Sequence, residues 1–436
     1  MSTDARDRLR EIHAELADPS VLNLSYTLGL EGPLDVDALA WAFDRIAETF
    51  PSLGAADGAD MFGLHDFSDP NTQGQLTGVI DQVRRHRFDI DTDPLLLARC
   101  LTLGPSRHIL VIAIHHSAAD GWSLSAIARA LGRYYAALLN GQEAEIDTVL
   151  DPTDAAPASE RRLARERDEL SKDLAGLDRN ASLTVANSTG SEPLVRFTRS
   201  YSSSFAKAME LAAKQARVTA FAAIAGTVAR KVLEALERRE ILVGTTILNR
   251  HSSSDLLVDA PLYQGSLFRI AQTYDWKDIG SRVAAASGRM LPYAQQLEIA
   301  RAAMESNGPV TPPLFVFADT HPLSALSLED ITIRFLDASD EDDQPLPAIR
   351  MADIVFFWRS GPGGATGNLI VPASLGPVGK GLIDKIDEAL KTLAGDTIAE
   401  TPEVRPWAPG LVARDAPLVD GLSPVGRLAL SSVYGE

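Results

Sequence analysis

The feature that most constrains this chain is a run of β-favouring residues, Ile109-Leu110-Val111-Ile112-Ala113-Ile114. It leads without a break into His115-His116-Ser117-Ala118-Ala119-Asp120-Gly121-Trp122-Ser123. An uninterrupted apolar run of this kind suits a strand covered on both faces, inside a sheet flanked by helices. Beyond it, Leu124, Ile127, Leu131, Tyr134, Tyr135 and Leu138 recur at helical spacing and end at Gly141, so a helix follows the loop. Two imidazoles therefore sit where a core strand turns into a loop, a place both rigid and reachable. Three readings compete: a metal site, a catalytic base, and histidines satisfied in a core. Metal ligation is disfavoured, because consecutive strand side chains point to opposite faces and both rings cannot easily reach one ion. At most one ring then faces a cavity, and histidine titrates near the working pH unaided, so that ring suits proton transfer.

With 436 residues, 45% hydrophobic and 23% charged, the chain has apolar material for two domain-sized cores. A formal net charge of −18 makes approach to nucleic acid or to an anionic membrane repulsive, which excludes both as partners. The acidic run from Asp337 to Asp343 reads as a solvated loop. A lone cysteine, Cys100, allows no intramolecular disulfide and reads as a buried small hydrophobe. No leader peptide and no apolar run of spanning length is visible, so the expectation is a soluble, cytoplasmic protein.

Residues 1 to 16 read as a charged helix, Val21 to Leu30 as a strand, and Asp35 to Phe50 as a helix stopped by Pro51. After Glu160 to Leu177, a charged helix, loop formers cluster between Asn180 and Ser191, where a domain boundary is expected. Strands are predicted at Val195 to Tyr201, Leu242 to Leu248, Leu262 to Ile270, Pro313 to Phe317 and Asp353 to Trp358. Helices are predicted at Phe205 to Arg217, Val218 to Leu236 and Gly381 to Leu393.

The His-His-x-x-x-Asp-Gly segment resembles the signature of the condensation domains of non-ribosomal peptide synthetases, members of the chloramphenicol acetyltransferase-like acyltransferases. Its flanks extend the resemblance: Phe88-Asp89 and Pro94-Leu95-Leu96 lead in, Gly32-Pro33-Leu34-Asp35 opens the first long helix, and Leu242-Val243-Gly244-Thr245 stands for a Val-Gly-Thr strand. Two arginines expected near Thr49 to Gly54 are missing, as is the asparagine expected in Leu262 to Ile270.

This resemblance implies an α/β fold of two acetyltransferase-like lobes in a V around a tunnel. The lobes are expected at 1–178 and 190–397, with a tail at 398–436. It implies transfer of an acyl or aminoacyl group from the phosphopantetheine arm of a carrier protein to an amine or hydroxyl, in natural-product or antibiotic biosynthesis. His116 becomes the expected catalytic residue, facing the tunnel, while His115, Asp120, Gly121 and Arg250 support the loop, Arg250 by pairing with Asp120. Trp122, Tyr263, Ser266 and Trp358 become expected tunnel residues. The partners implied are an acyl or peptidyl carrier protein and a small-molecule acceptor, with no metal and no bound cofactor. A local basic surface for the carrier is sought at Arg84, Arg85 and Arg87, or at Arg161, Arg162, Arg165 and Arg167. No carrier attachment motif or adenylation segment is recognisable, so a free-standing member is expected. A coenzyme A-dependent acyltransferase and a catalytically silent recruitment module remain alternatives. On this reading a ring at 116 sealed beneath packed side chains, or the lack of a passage between the halves, would overturn the transferase expectation.

Overall fold

The computed structural model describes residues 3–414 apart from 17, 55–60, 147–148, 150–157, 183–193, 249–258, 260, 307, 309, 339–351, 362 and 396–403. The apolar run lies in a strand, Arg107–His115, in which every residue after Arg107 is buried. It forms the middle of one of two sheets, each flanked by helices. The expected two-lobed α/β architecture is present.

The first half of the chain supplies α1 (Thr3–Glu15), β1 (Asn23–Glu31), α2 (Val36–Thr49), β2 (Phe62–Asp66), α3 (Leu76–Arg84), β3 (Leu96–Gly104), β4 (Arg107–His115) and α4 (Gly121–Asn140). A helix α5 (Glu160–Leu174) leads into β5 (Leu194–Ser202), α6 (Ser203–Gln215), α7 (Ala220–Ala235), β6 (Glu240–Ile247), β7 (Gln264–Ala271), α8 (Trp276–Ser287) and α9 (Tyr293–Ala303). Then follow β8 (Leu314–Thr320), β9 (Thr332–Ala338), β10 (Ile354–Gly361), β11 (Gly364–Pro372), α10 (Gly376–Ala394), β12 (Val404–Ala408) and β13 (Leu411–Arg414). The first sheet runs β12-β13-β9-β1-β4-β3-β2 and the second β5-β11-β10-β8-β6-β7.

The halves do not divide as expected. Strand β9 leaves the second half, pairs antiparallel with β1 and buries Phe335 and Leu336 in the first core. The strap preceding it passes over α4 at Gly132, where a Cβ would lie 2.4 Å from the Ser327 carbonyl oxygen, so a larger residue would push the strap away. The stretch assigned to the tail also docks: β12 and β13 extend the same sheet, and Trp407 lies against Gly29 of β1, where a Cβ would meet its ring at 2.5 Å. The rest of that tail, 415–436, lies outside the described residues. Helix α5, placed in the first lobe by its position in sequence, belongs with the second. Its apolar face, Leu170 and Leu174, with Leu177 beyond it, packs with Leu291 and Leu297.

Candidate active site

Strand β1 runs antiparallel to β4 with Asn23 opposite His115, and the His116 N–H donates to the Leu22 carbonyl at 3.1 Å. The strand end is thereby held, and the chain turns through residues 117–120 into α4. Asp120 is the N-cap of that helix: its Oδ1 accepts from the Ser123 N–H at 2.8 Å and from the Ser123 hydroxyl at 3.0 Å. Such a cap satisfies one of the donors that a helix start leaves without an intrahelical partner. Residues His115 to Asp120 are all fully buried.

The two rings have different neighbours, His115 packing on His13 and Phe88 and His116 on Tyr263. The His115 Nδ1 accepts from the Ser117 N–H at 3.2 Å and lies 2.8 Å from its hydroxyl, so in the neutral ring the proton is on Nε2. That Nε2 lies 3.1 Å from the Nδ1 of His13 on α1, which accepts from it. Both nitrogens of His115 are satisfied. Burial, with neighbouring positive groups adding to it, pushes its pKa down to about 3.

His116 is oppositely arranged. Its Nδ1 lies 2.7 Å from the Ala119 carbonyl oxygen, which can only accept, so the Nδ1 carries the proton. The Nε2 lone pair is buried and has no hydrogen-bond partner among the described residues. Burial pushes this pKa down to about 4, opposed by the Ala119 bond and the Asp120 charge, so the ring is neutral at pH 7. Over it lies Tyr263, with ring centroids 5.1 Å apart and planes 34° from parallel. The expectation of an imidazole protruding into an open passage is therefore not met: His116 is sealed. Beside it the first turn of α4 is less crowded, since a Cβ on Gly121 would meet nothing within 4 Å.

Two carboxylates clasp the lobes together here. Asp120 Oδ2 accepts from the Leu262 N–H at 2.9 Å, and Asp259 accepts from the Ser52 N–H at 2.7 Å and from the Ser52 hydroxyl at 2.5 Å. Ser52 stands where the two arginines were missed. The expected partner of Asp120, Arg250, lies outside the described residues, and from the segment before β7 the Leu262 N–H donates to this carboxylate.

With this geometry established, similarity to known proteins becomes informative. Residues 60–257, which include the whole histidine loop, match the family model for the condensation domain. This part of the chain is similar to a condensation domain. Chondramide synthase of Chondromyces crocatus is 31% identical over 132 residues, 26% of this chain and 3% of that protein. A probable non-canonical non-ribosomal peptide synthetase of Salinispora arenicola is 32% identical over 151 residues, 32% of this chain and 2% of that protein. The chain thus spans only a small part of the length of these curated relatives. Among solved structures, the SgcC5 protein of Streptomyces globisporus aligns with TM-score 0.64 at 15% identity, over 86% of this chain and 93% of that one. VibH, a non-ribosomal peptide synthetase condensation enzyme, aligns with TM-score 0.63 at 14% identity, over 90% of this chain and 95% of its own. At such identities these likenesses show the fold, and they show it for both lobes.

The other expected site residues are dispersed. Trp122 is half-buried in the first turn of α4, next to the loop. Ser266 does not line a passage: its hydroxyl donates to the Ala286 carbonyl at 2.9 Å and accepts from Arg289 at 3.1 Å inside the second lobe. Trp358 is a core residue, 5.0 Å from the Tyr201 ring. The α5 arginines do not make a basic face, because Arg162 pairs with Glu166 and Arg165 with Glu169. Cys100 is buried and its thiol is pushed up to about 12, so it is no nucleophile. Among the described residues no group of three or more metal-ligating side chains converges, and no helix is long and apolar enough to cross a membrane. Sequence reasoning missed His13, although it continues the α1 stripe of Leu9, Ile12 and Leu16 at helical spacing.

Proposed function

We propose that this chain is a condensation enzyme that moves an acyl or aminoacyl group from a phosphopantetheine thioester on a carrier protein to an amine or hydroxyl. The observation that carries the reading is the tautomer of His116: its Nδ1 proton is committed to Ala119, leaving the Nε2 lone pair just past the end of β4 without a hydrogen-bond partner among the described residues. Orphaned buried polar atoms are rare in folded proteins, and this one is a proton acceptor.

In the proposed step the acceptor X–H donates to His116 Nε2 while X attacks the thioester carbonyl. The C–X bond forms, an oxyanion develops, the C–S bond breaks, and the departing sulfur takes the proton back from the imidazolium. Asp120 stabilises the transient cation. The Gly121 N–H, in the first turn of α4 with no intrahelical acceptor, is placed to meet the oxyanion. General-base assistance contributes ~10² to 10⁴ in rate, whereas alignment of donor and acceptor lowers the barrier by ~7 to 11 kcal/mol. Much of the catalysis therefore rests on the cleft.

A coenzyme A donor is kept as a second reading because a similar structure, the starter condensation domain of rhizomide synthetase, is described in complex with C8-CoA. A silent recruitment role is favoured by one observation, the complete burial of His116. Presenting one acyl group on a carrier protein and on coenzyme A, to wild type and His116→Ala, separates the three. Transfer from the carrier alone supports the proposal, transfer from coenzyme A supports the second, and no transfer from either supports the third.

A further inference from the structure

The sealed ring of His116 and the position of α1 share an explanation. Tyr263 lies just before β7, in a stretch without regular structure, and its ring is the one stacked over the His116 imidazole. It does not belong to any of the three large cores. It forms a separate small cluster with Leu9 and Ile12 of α1 and with Leu22. Described polar ties of helix α1 include His13 to His115, Arg10 to the Ile90 carbonyl at 3.3 Å, and Arg10 to Asp91 at 3.6 Å, the last two at the surface or partly so. A small satellite cluster outside the large cores is the kind of element that opens locally while the cores stay folded.

We propose that Tyr263 controls access to His116, and that α1 braces it through Leu9 and Ile12. An acceptor reaches the Nε2 lone pair only when the 263 ring swings off the imidazole, so the side chain at 263 decides which acceptors are admitted. The space beside Gly121, where no atom comes within 4 Å of a Cβ position, lies at the same loop. The inference rests on the proposed function for what passes the gate, but the gate itself has a readout that needs no turnover.

That readout is labelling of histidines by diethyl pyrocarbonate, which transfers an ethoxycarbonyl group to neutral imidazole nitrogen, mapped by mass spectrometry on the full chain at pH 7. A closed state of this kind opens to ~0.1–10%, so Tyr263→Ala is expected to speed labelling of His116 by at least ~10-fold. Tyr263→Phe, which keeps the ring, is expected to label as slowly as wild type. Ile12→Ala, which leaves the ring and removes part of the brace, is expected to label His116 faster than wild type. His115 lies behind the strand end and is expected to stay protected in Tyr263→Ala, which distinguishes a lost gate from a loosened fold. Equal His116 labelling in wild type and Tyr263→Ala, or His115 and His116 rising together, overturns the gate. No change in Ile12→Ala overturns the brace. If the gate behaves as expected while His116→Ala still transfers acyl groups like wild type, the transferase reading fails and the gate stands.

Discussion

The two faces of the histidine loop differ in one respect that separates structure from chemistry. On the side of His115 every ring nitrogen has a partner, supplied by Ser117 and His13. On the side of His116 one nitrogen is committed to Ala119 and the other, beneath Tyr263, is bare among the described residues. Both rings are fully buried and both are held neutral, so burial and charge do not tell them apart. Hydrogen bonding does. A fully satisfied buried imidazole repays the desolvation of its nitrogens within the fold, whereas an unsatisfied one carries a cost of about 1–3 kcal/mol that the fold does not recover.

The sharpest way to break this contrast is substitution of each ring in turn. His116→Ala is expected to lose at least ~10²-fold in acyl transfer and to stay folded, with a smaller stability loss than His115→Ala, since it removes the bare nitrogen and strands only the Ala119 carbonyl. His115→Ala is expected to do the reverse, lowering stability by about 1–3 kcal/mol by stranding the Ser117 and His13 groups. Wild-type-like turnover in the first, or an unchanged melting curve in the second, removes the distinction.

Next in size is the carboxylate that serves both lobes. Asp120→Ala strands the Ser123 and Leu262 N–H groups and removes a helix cap, a loss of about 2–4 kcal/mol in denaturant titrations. Asp259→Ala, which frees Ser52, should cost about 1–3 kcal/mol by the same measurement. If Asp120→Ala is as stable as wild type, the clasp is not what joins the lobes.

A pH series sharpens the shared property of the two rings. Their folded pKa values, about 3 and about 4, lie below the unfolded value near 6.5. The unfolded chain therefore binds more protons between those limits. Stability from this source is complete above pH ~6.5 and falls as the pH drops towards 4, by up to ~1.4 kcal/mol per unit for each ring. Melting temperatures at pH 7 and pH 5 check it, and His115→Asn, which cannot titrate, should flatten the slope. The smallest effect belongs to Gly121→Ala. The added methyl meets no protein atom, so stability should change by less than ~1 kcal/mol. Transfer should nevertheless fall if substrate uses that space.

Local features were legible in the sequence and remote ones were not. The apolar run, the helix after it and the Asp120 anchor follow from period and capping, which act within a few residues. Strand β9, crossing from the second half to pair with β1, and the docking of β12 and β13 depend on partners hundreds of residues away. Pairing at that distance leaves little local trace. Ser266 and Trp358 were misplaced for a related reason: strands covered on both faces read alike on either side, so which face meets a cleft is not written in the pattern. Tyr263 was placed at the substrate site, but as wall rather than cover. The arginine expected beside Asp120, Arg250, lies outside the described residues, and the Leu262 N–H that donates to this carboxylate left no mark in the sequence pattern.

The most direct measurement is the protonation of the two rings themselves, read from the ring nitrogen-15 shifts of the histidines by NMR at pH 7. The account expects opposite tautomers in adjacent residues: His115 protonated at Nε2 and His116 at Nδ1, with an unprotonated and unbonded Nε2 at residue 116. Finding both rings in the same tautomer, or His116 carrying its proton on Nε2, would contradict it.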